Sequence, residues 1–204
     1  MIYRVLAVFF ILLATPSWGV TPDSIVRDGD IIFQTSLSSQ SVAIQRATLS
    51  PYSHMGLIFL RDGKPYVFEA VSTVRYTPLR KWIARGSGGH FVIRRLKNAE
   101  GTLDKKSVDK LRVQIRRFQG KPYDPTFEWS DDRIYCSELV WKIYDRALGI
   151  KLGDLQRLKE FNLTDPIVSS KLRERYGLNV PMEELVISPE EVFRSPQLLT
   201  VLEK

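Results

Sequence analysis

One stretch of this sequence constrains the fold more than any other. Residues 55–60 are a β-prone apolar run, Asp62-Gly63 follows, and residues 65–70 form a second β-prone run. An Asp-Gly pair between two such runs is a strong signal for a tight β-hairpin. With Asp62 and Gly63 as the central turn residues, Arg61 faces Lys64, and the numbers of paired residues sum to about 125 along the hairpin. His54, at the start of the first strand, then faces Val71, and Glu69, near the end of the second, faces Gly56. Side chains two apart on a strand share a face, so His54 and Glu69 become diagonal neighbours. Gly56 has no side chain to block that contact. A loop one residue longer or shorter would put the two on opposite faces. Taken alone, the pattern equally suits a strand-end histidine and a solvent-facing glutamate.

The second informative stretch is Ile134-Tyr135-Cys136-Ser137-Glu138-Leu139-Val140-Trp141, which contains the only cysteine. Leu139, Val140, Ile143, Tyr144, Ala147 and Leu148 make one apolar stripe at helical spacing, and Gly149 supplies a stop. Cys136 is thus expected at the first turn of a helix packed into the core. Backbone N–H groups without helical partners and the positive end of the helix dipole lie there. That setting favours a thiolate, and the same N–H groups can hold a developing oxyanion. A buried cysteine serving as a small hydrophobe fits the same stretch.

Residues 1–19 have the form of a secretory signal peptide. Arg4 is the basic start, residues 5–14 are unbroken apolar, Pro16 ends the run, and Ser17-Trp18-Gly19 is a small-x-small cleavage site. The run is short for a membrane span. Residues 20–204 are then expected to form a single exported domain, periplasmic or secreted. A lone cysteine allows no internal disulfide, and an exported chain gains little from a spare oxidisable thiol. The formal net charge of +7 is spread over several short basic clusters rather than one run. That suits a solvated surface, with peripheral attraction to an anionic membrane or envelope as the functional alternative. No zinc-finger, aromatic-basic or basic-helix pattern points to nucleic acid.

Other elements follow from local signals. Ile31–Gln34 reads as a short buried strand, with a helix at 40–48 capped by the preceding serines. Leu79–Ala84 reads as a short helix, and residues 91–96 as a strand opened by His90, which has no acidic neighbour. Residues 104–118 read as a basic amphipathic helix. Beyond Gly149 the chain reads as mainly helical, with helices at 154–161 and 165–176 and a capping box at Ser188-Pro189-Glu190-Glu191. This tail is expected to cover the core or to wall a substrate groove.

Two histidines far apart and one cysteine give no metal-ligand spacing, so neither a metal nor another cofactor is expected. A cysteine at a helix N-terminus, a histidine at a strand start and a glutamate on the neighbouring strand do match the nucleophile, base and orienter of covalent acyl transfer. At this point the chain resembles a known family, the permuted papain-like amidases of the YiiX/YaeF type within the NlpC-type papain-like superfamily. The resemblance is carried by Gly29-Asp30-Ile31-Ile32-Phe33-Gln34, Tyr52-Ser53-His54-Met55-Gly56, Tyr66-Val67-Phe68-Glu69-Ala70, Gly120-Lys121-Pro122-Tyr123-Asp124, Tyr135-Cys136-Ser137-Glu138 and Ser188-Pro189. It implies Cys136 as nucleophile, His54 as base and Glu69 as the residue orienting His54, with the histidine preceding the cysteine as in the permuted branch. It further implies an α+β, circularly permuted papain-like fold, with a small, mostly antiparallel sheet on the helix that starts at Cys136. Tyr135 or Tyr52 is a candidate additional oxyanion or substrate-site donor. The expected activity is thiol-dependent cleavage of an amide or ester, on a small acyl amide, a lipid amide or a cell-wall peptide. Acyl transfer to another acceptor, or a non-catalytic lipid- or envelope-binding module on the same fold, are the competing readings.

Overall fold

The computed structural model describes residues 21–204; the expected signal peptide lies outside the described residues. In chain order the elements are α1 (Pro22–Ile25), β1 (Ile31–Gln34), α2 (Ser41–Thr48), β2 (His54–Arg61), β3 (Lys64–Ala70), β4 (Val74–Pro78), α3 (Leu79–Ala84), β5 (Val92–Leu96), α4 (Ala99–Thr102) and α5 (Lys105–Phe118). They continue with α6 (Cys136–Leu148), β6 (Gln156–Arg157), α7 (Pro166–Tyr176), β7 (Leu185–Val186), α8 (Pro189–Arg194) and β8 (Leu198–Glu203). Six strands form one sheet in the order β4-β3-β2-β1-β5-β8, and every neighbouring pair is antiparallel.

The hairpin has the expected register. Arg61 pairs with Lys64 and Leu57 with Phe68. Asp62 and Gly63 have φ of 50° and 72°, the two positive values that a twist-matched two-residue turn needs. Further along, the strands approach so closely at Gly56 that an added Cβ would lie 2.5 Å from Val67 Cγ1 and 3.3 Å from Glu69 Cβ. Only glycine fits there without displacing the strand that carries Glu69.

Both faces of the sheet are covered, so its central strands read as unbroken apolar runs rather than alternating ones. Ile31, Phe33, Leu57, Phe59 and Phe68 share a core with Leu139, Val140 and Ile143 of α6 and with Leu111 and Ile115 of α5. Ile32, Ile58 and Val67 point the other way, onto Leu79 and Trp82 of α3. Burying each such aliphatic side chain contributes about 1.5–3 kcal/mol, and this anchoring holds the start of α6 against the end of the sheet. Gly149 closes α6 in the left-handed conformation at φ 69°, and its N–H reaches Asp145 O at 2.7 Å.

Three local expectations are corrected. Residues 154–161 are not a helix: they form β6 and a single 3-10 turn. Their backbone donors are taken across the chain, Leu158 N–H by Glu184 O at 2.9 Å and Lys159 N–H by Met182 O at 3.0 Å. Pairing with the β7 segment displaced an intrinsically weak helix. The sheet also gains β4 and β8, which were not expected from the sequence and which pair with β3 and β5. Finally, the serines before α2 do not cap it, since its N-cap is Gln40 with no side-chain bond. Ser41 Oγ instead meets Ser53 Oγ at 2.6 Å, and Ser53 Oγ accepts from Ser36 N–H at 2.9 Å. This cluster fixes the backbone immediately before His54.

Candidate active site

His54 is the first residue of β2 and Cys136 the first residue of α6. The fold makes their side chains electrostatic neighbours, with Cys136 among the groups that favour a charged His54. Both are buried, at 7% and 4% exposure. His54 Nε2 lies 2.6 Å from Glu69 Oε2, which leaves Nδ1 as the nitrogen available to the thiol. The imidazole also stacks on Trp82, with ring centroids 5.7 Å apart and planes 25° apart. Burial works against a charged imidazole, but the hydrogen bonds and charges of Cys136 and Glu69 outweigh it and raise the His54 pKa to about 9. The site is thus built to hold an imidazolium beside the sulfur.

Glu69 is fully buried, with four side-chain partners. Oε2 takes His54, the Trp82 indole N–H at 2.8 Å and the Arg85 guanidinium at 2.5 Å. Oε1 accepts from the Thr77 hydroxyl at 2.6 Å. Burial raises its pKa, but His54, Thr77 and Arg85 reverse that and lower it to about 2. The carboxylate stays ionised because its oxygens are satisfied, which is the condition for burying a charge at acceptable cost. Trp82, Arg85 and Thr77 were not singled out from sequence. The 79–84 helix was legible, and Trp82 and Arg85 are spaced to share its face. Nothing local shows that this face packs on Glu69.

Of the two tyrosine candidates, Tyr135 lines the cleft and Tyr52 does not. Tyr52 packs on Phe33 and Phe193, with centroids 5.9 and 4.4 Å away, and is a core aromatic rather than part of the cleft wall. Tyr135 does line the cleft. Its hydroxyl accepts from Ile187 N–H at 3.1 Å, which does not use the phenol's own proton, and the ring packs edge-on against Phe127. The tyrosine that sequence reading passed over is Tyr123. Its backbone runs beside Ile134, bridging it in parallel, two residues before Cys136. Gln40 Nε2 donates to its hydroxyl oxygen at 2.7 Å. Burial, with the negative charge of Cys136 adding to it, raises the Tyr123 pKa, so the phenol keeps its proton and can donate it. Gly120-Lys121-Pro122-Tyr123-Asp124 was visible as a turn, but only the parallel bridge shows that it flanks the cysteine.

Cys136 opens onto a cleft enclosing about 690 Å³, part of it open solvent. Its walls come from α2, from the start of α6, from α7 and from residues 186–189, so the C-terminal tail does wall a groove. On the other side of α6, Lys142 Nζ meets Glu138 Oε1 at 2.7 Å and Asp131 Oδ1 at 2.9 Å. The pair with Asp131 ties the loop before Cys136 to its helix, while the pair with Glu138 lies within α6. His90, by contrast, is exposed, bonds the Lys204 carbonyl at 2.5 Å and does have an acidic neighbour, Glu203 at 4.0 Å, contrary to the sequence expectation.

A buried thiol and imidazole–carboxylate pair at the junction of a helix and an antiparallel sheet, with the histidine first in sequence, define a permuted papain-like arrangement. Residues 25–202 match the family described as permuted papain-like amidase enzyme, YaeF/YiiX, C92 family, and the chain belongs to it. The chain is 53% identical over 196 residues to the uncharacterized protein YiiX of Escherichia coli (strain K12), covering 96% of this chain and 94% of that one. It superposes with a TM-score of 0.84 on the crystal structure of metalloprotein yiiX from Escherichia coli O157:H7, at 56% identity over 87% of this chain and 97% of that one. Family membership supports a thiol hydrolase in general terms.

Proposed function

We infer that the chain hydrolyses an amide or ester bond through a covalent acyl-cysteine intermediate. Cys136 Sγ attacks the acyl carbonyl carbon as a thiolate, and the carbonyl electron pair moves onto oxygen. The Cys136 backbone N–H and the Tyr123 hydroxyl donate to that oxyanion. The imidazolium of His54 gives its proton to the leaving amine or alcohol as the bond to carbon breaks. Neutral His54 then removes a proton from water, which attacks the thioester and restores the thiolate. Glu69 holds the imidazole in orientation and stabilises its cationic form. An acceptor other than water would use the same residues. Substrates of this chemistry include acyl or lipid amides and cell-wall peptides, met outside the cytoplasm if residues 1–19 direct export.

The observation that carries this reading is the meeting of Cys136, His54 and Glu69, which lie on three separate elements. The relative described as a metalloprotein raises a metal alternative. Cys136 and His54 supply only two donors here, and both oxygens of Glu69 are already bonded. Among the described residues, no group of three or more His, Cys, Asp or Glu side chains could hold a metal ion. A resident zinc ion takes three or four protein ligands, so these residues do not fit one and no step runs through a metal.

The test is to incubate the protein with activated acyl esters and acyl amides and to look for an acyl mass on the Cys136 peptide. The expected result is an adduct that forms and decays in wild type, with none in Cys136→Ala. Turnover that survives in Cys136→Ala would overturn the proposal.

A further inference from the structure

The cleft at Cys136 has a chemical asymmetry that the acyl-transfer machinery does not use. Its walls are largely apolar, with Ala43, Ile44, Phe161, Leu163, Val168 and Leu172 among them. Among the described residues, its only charged lining side chains besides the Cys136 sulfur are two cations of α7, Lys171 and Arg175. Lys171 is neutralised from outside by Glu174 at 2.6 Å. Arg175 has no carboxylate partner within ion-pair distance among the described residues. Its guanidinium donates to Gln40 Oε1 at 2.5 Å and lies over the Phe127 ring, 4.7 Å from the centroid. Gln40 in turn donates to Tyr123. One unneutralised cation therefore stands two hydrogen bonds from the phenol assigned to the oxyanion. Exposed Val42 and Ile167 add apolar surface on the same two helices, α2 and α7.

An uncompensated guanidinium among apolar walls favours a ligand that supplies both an anion and a hydrophobic chain. Because Arg175 is close to the reacting centre, the anion must lie only a few bonds from the scissile amide, with the chain running away along α2 and α7. We propose that the cleft is a binding site for N-acyl amino acids: a single apolar acyl chain amide-linked to a small amine that carries a carboxylate, with Arg175 receiving the carboxylate. Hydrolysis of such a compound adds water across the amide, releasing a fatty acid and an amino acid. The assignment rests on the acyl-transfer reading for its orientation, but the binding itself can be measured without turnover.

The probe is N-dodecanoylglycine, compared below its micelle-forming concentration with the neutral N-dodecanoylethanolamine. Each is titrated for protection of Cys136 against iodoacetamide, followed by mass spectrometry. In wild type the carboxylate should protect at a concentration at least tenfold lower than the neutral amide. Arg175→Gln should abolish that difference, Arg175→Lys should retain part of it, and a melting curve should verify that each variant is folded. N-Acetylglycine, which lacks the chain, should protect only weakly. Equal protection by the carboxylate and the neutral amide in wild type would overturn the proposal whether or not the variants fold. So would an anion preference unchanged in folded Arg175→Gln. Protection without any acyl adduct or turnover would uphold the binding site and defeat the hydrolase reading. Turnover of neutral amides without anion preference would do the reverse.

Discussion

Replacing Glu69 with glutamine should move the titration of His54 by a predictable amount. In the native protein the His54 pKa stands at about 9 against an ordinary value of 6.5. At 1.36 kcal/mol per unit, that is about 3 kcal/mol in favour of the imidazolium, gained against the opposing effect of burial. Glutamine can occupy the site. Its carbonyl can take the place of Oε2 and accept from His54, Trp82 and Arg85, while its NH2 faces the Thr77 hydroxyl, which can rotate to accept. What disappears is the charge 2.6 Å from the imidazole. Burial is unchanged, so the His54 midpoint should fall by at least about one unit. In a Cys136→Ala background the sulfur contribution is gone as well, and Glu69→Gln should then take His54 below 6.5. The assay is NMR of the imidazole ring protons across pH. It is tractable because the chain has only two histidines, and exposed His90 serves as the internal control. A His54 midpoint unchanged to within about 0.3 unit would refute the claim that Glu69 joins Cys136 in setting the charge of this imidazole.

The same shift has a consequence for stability. A histidine whose folded pKa is raised contributes stability that is complete below its unfolded pKa near 6.5 and lost as pH rises through about 9. Chemical denaturation of wild type should therefore show stability falling across that window, with the fall flattened in Glu69→Gln. His54→Ala should slow iodoacetamide alkylation of Cys136 at neutral pH by about tenfold or more, since it removes the partner of the thiolate; an unchanged rate would mean that the two side chains form no ion pair. Tyr123→Phe should lower kcat by roughly 10²–10³-fold with little change in KM, as for loss of an oxyanion donor. Tyr135→Phe should cost about 1 kcal/mol of stability, because its hydroxyl accepts from Ile187 N–H. Gly56→Ala should destabilise the fold by about 1–3 kcal/mol through overpacking against Val67 and Phe68; a melting temperature equal to wild type would contradict the close strand contact.

The sequence by itself determined what local chemistry determines. Asp62-Gly63 dictated the turn, the turn dictated the register, and the register put His54 and Glu69 on one face beside Gly56. The apolar stripe after Cys136 and the stop at Gly149 likewise defined α6 and placed the thiol at its first residue. Each inference depended on neighbours within a few residues, where backbone geometry leaves few choices. Tertiary structure decided what depends on partners distant in sequence. Pairing with established strands made β4 and β8, and pairing with β7 made an extended segment of residues that could equally have coiled. Tyr123 joins Tyr135 at the cleft because a parallel bridge carries it alongside Ile134, whereas Tyr52 is taken into the core against Phe33 and Phe193. Trp82, Arg85 and Thr77 matter because the α3 region and β4 fold onto Glu69, where Thr77 and Arg85 join His54 in keeping a fully buried carboxylate ionised. Hydrogen-bond satisfaction in a buried site is a property of the assembled core, and no short stretch of sequence encodes it.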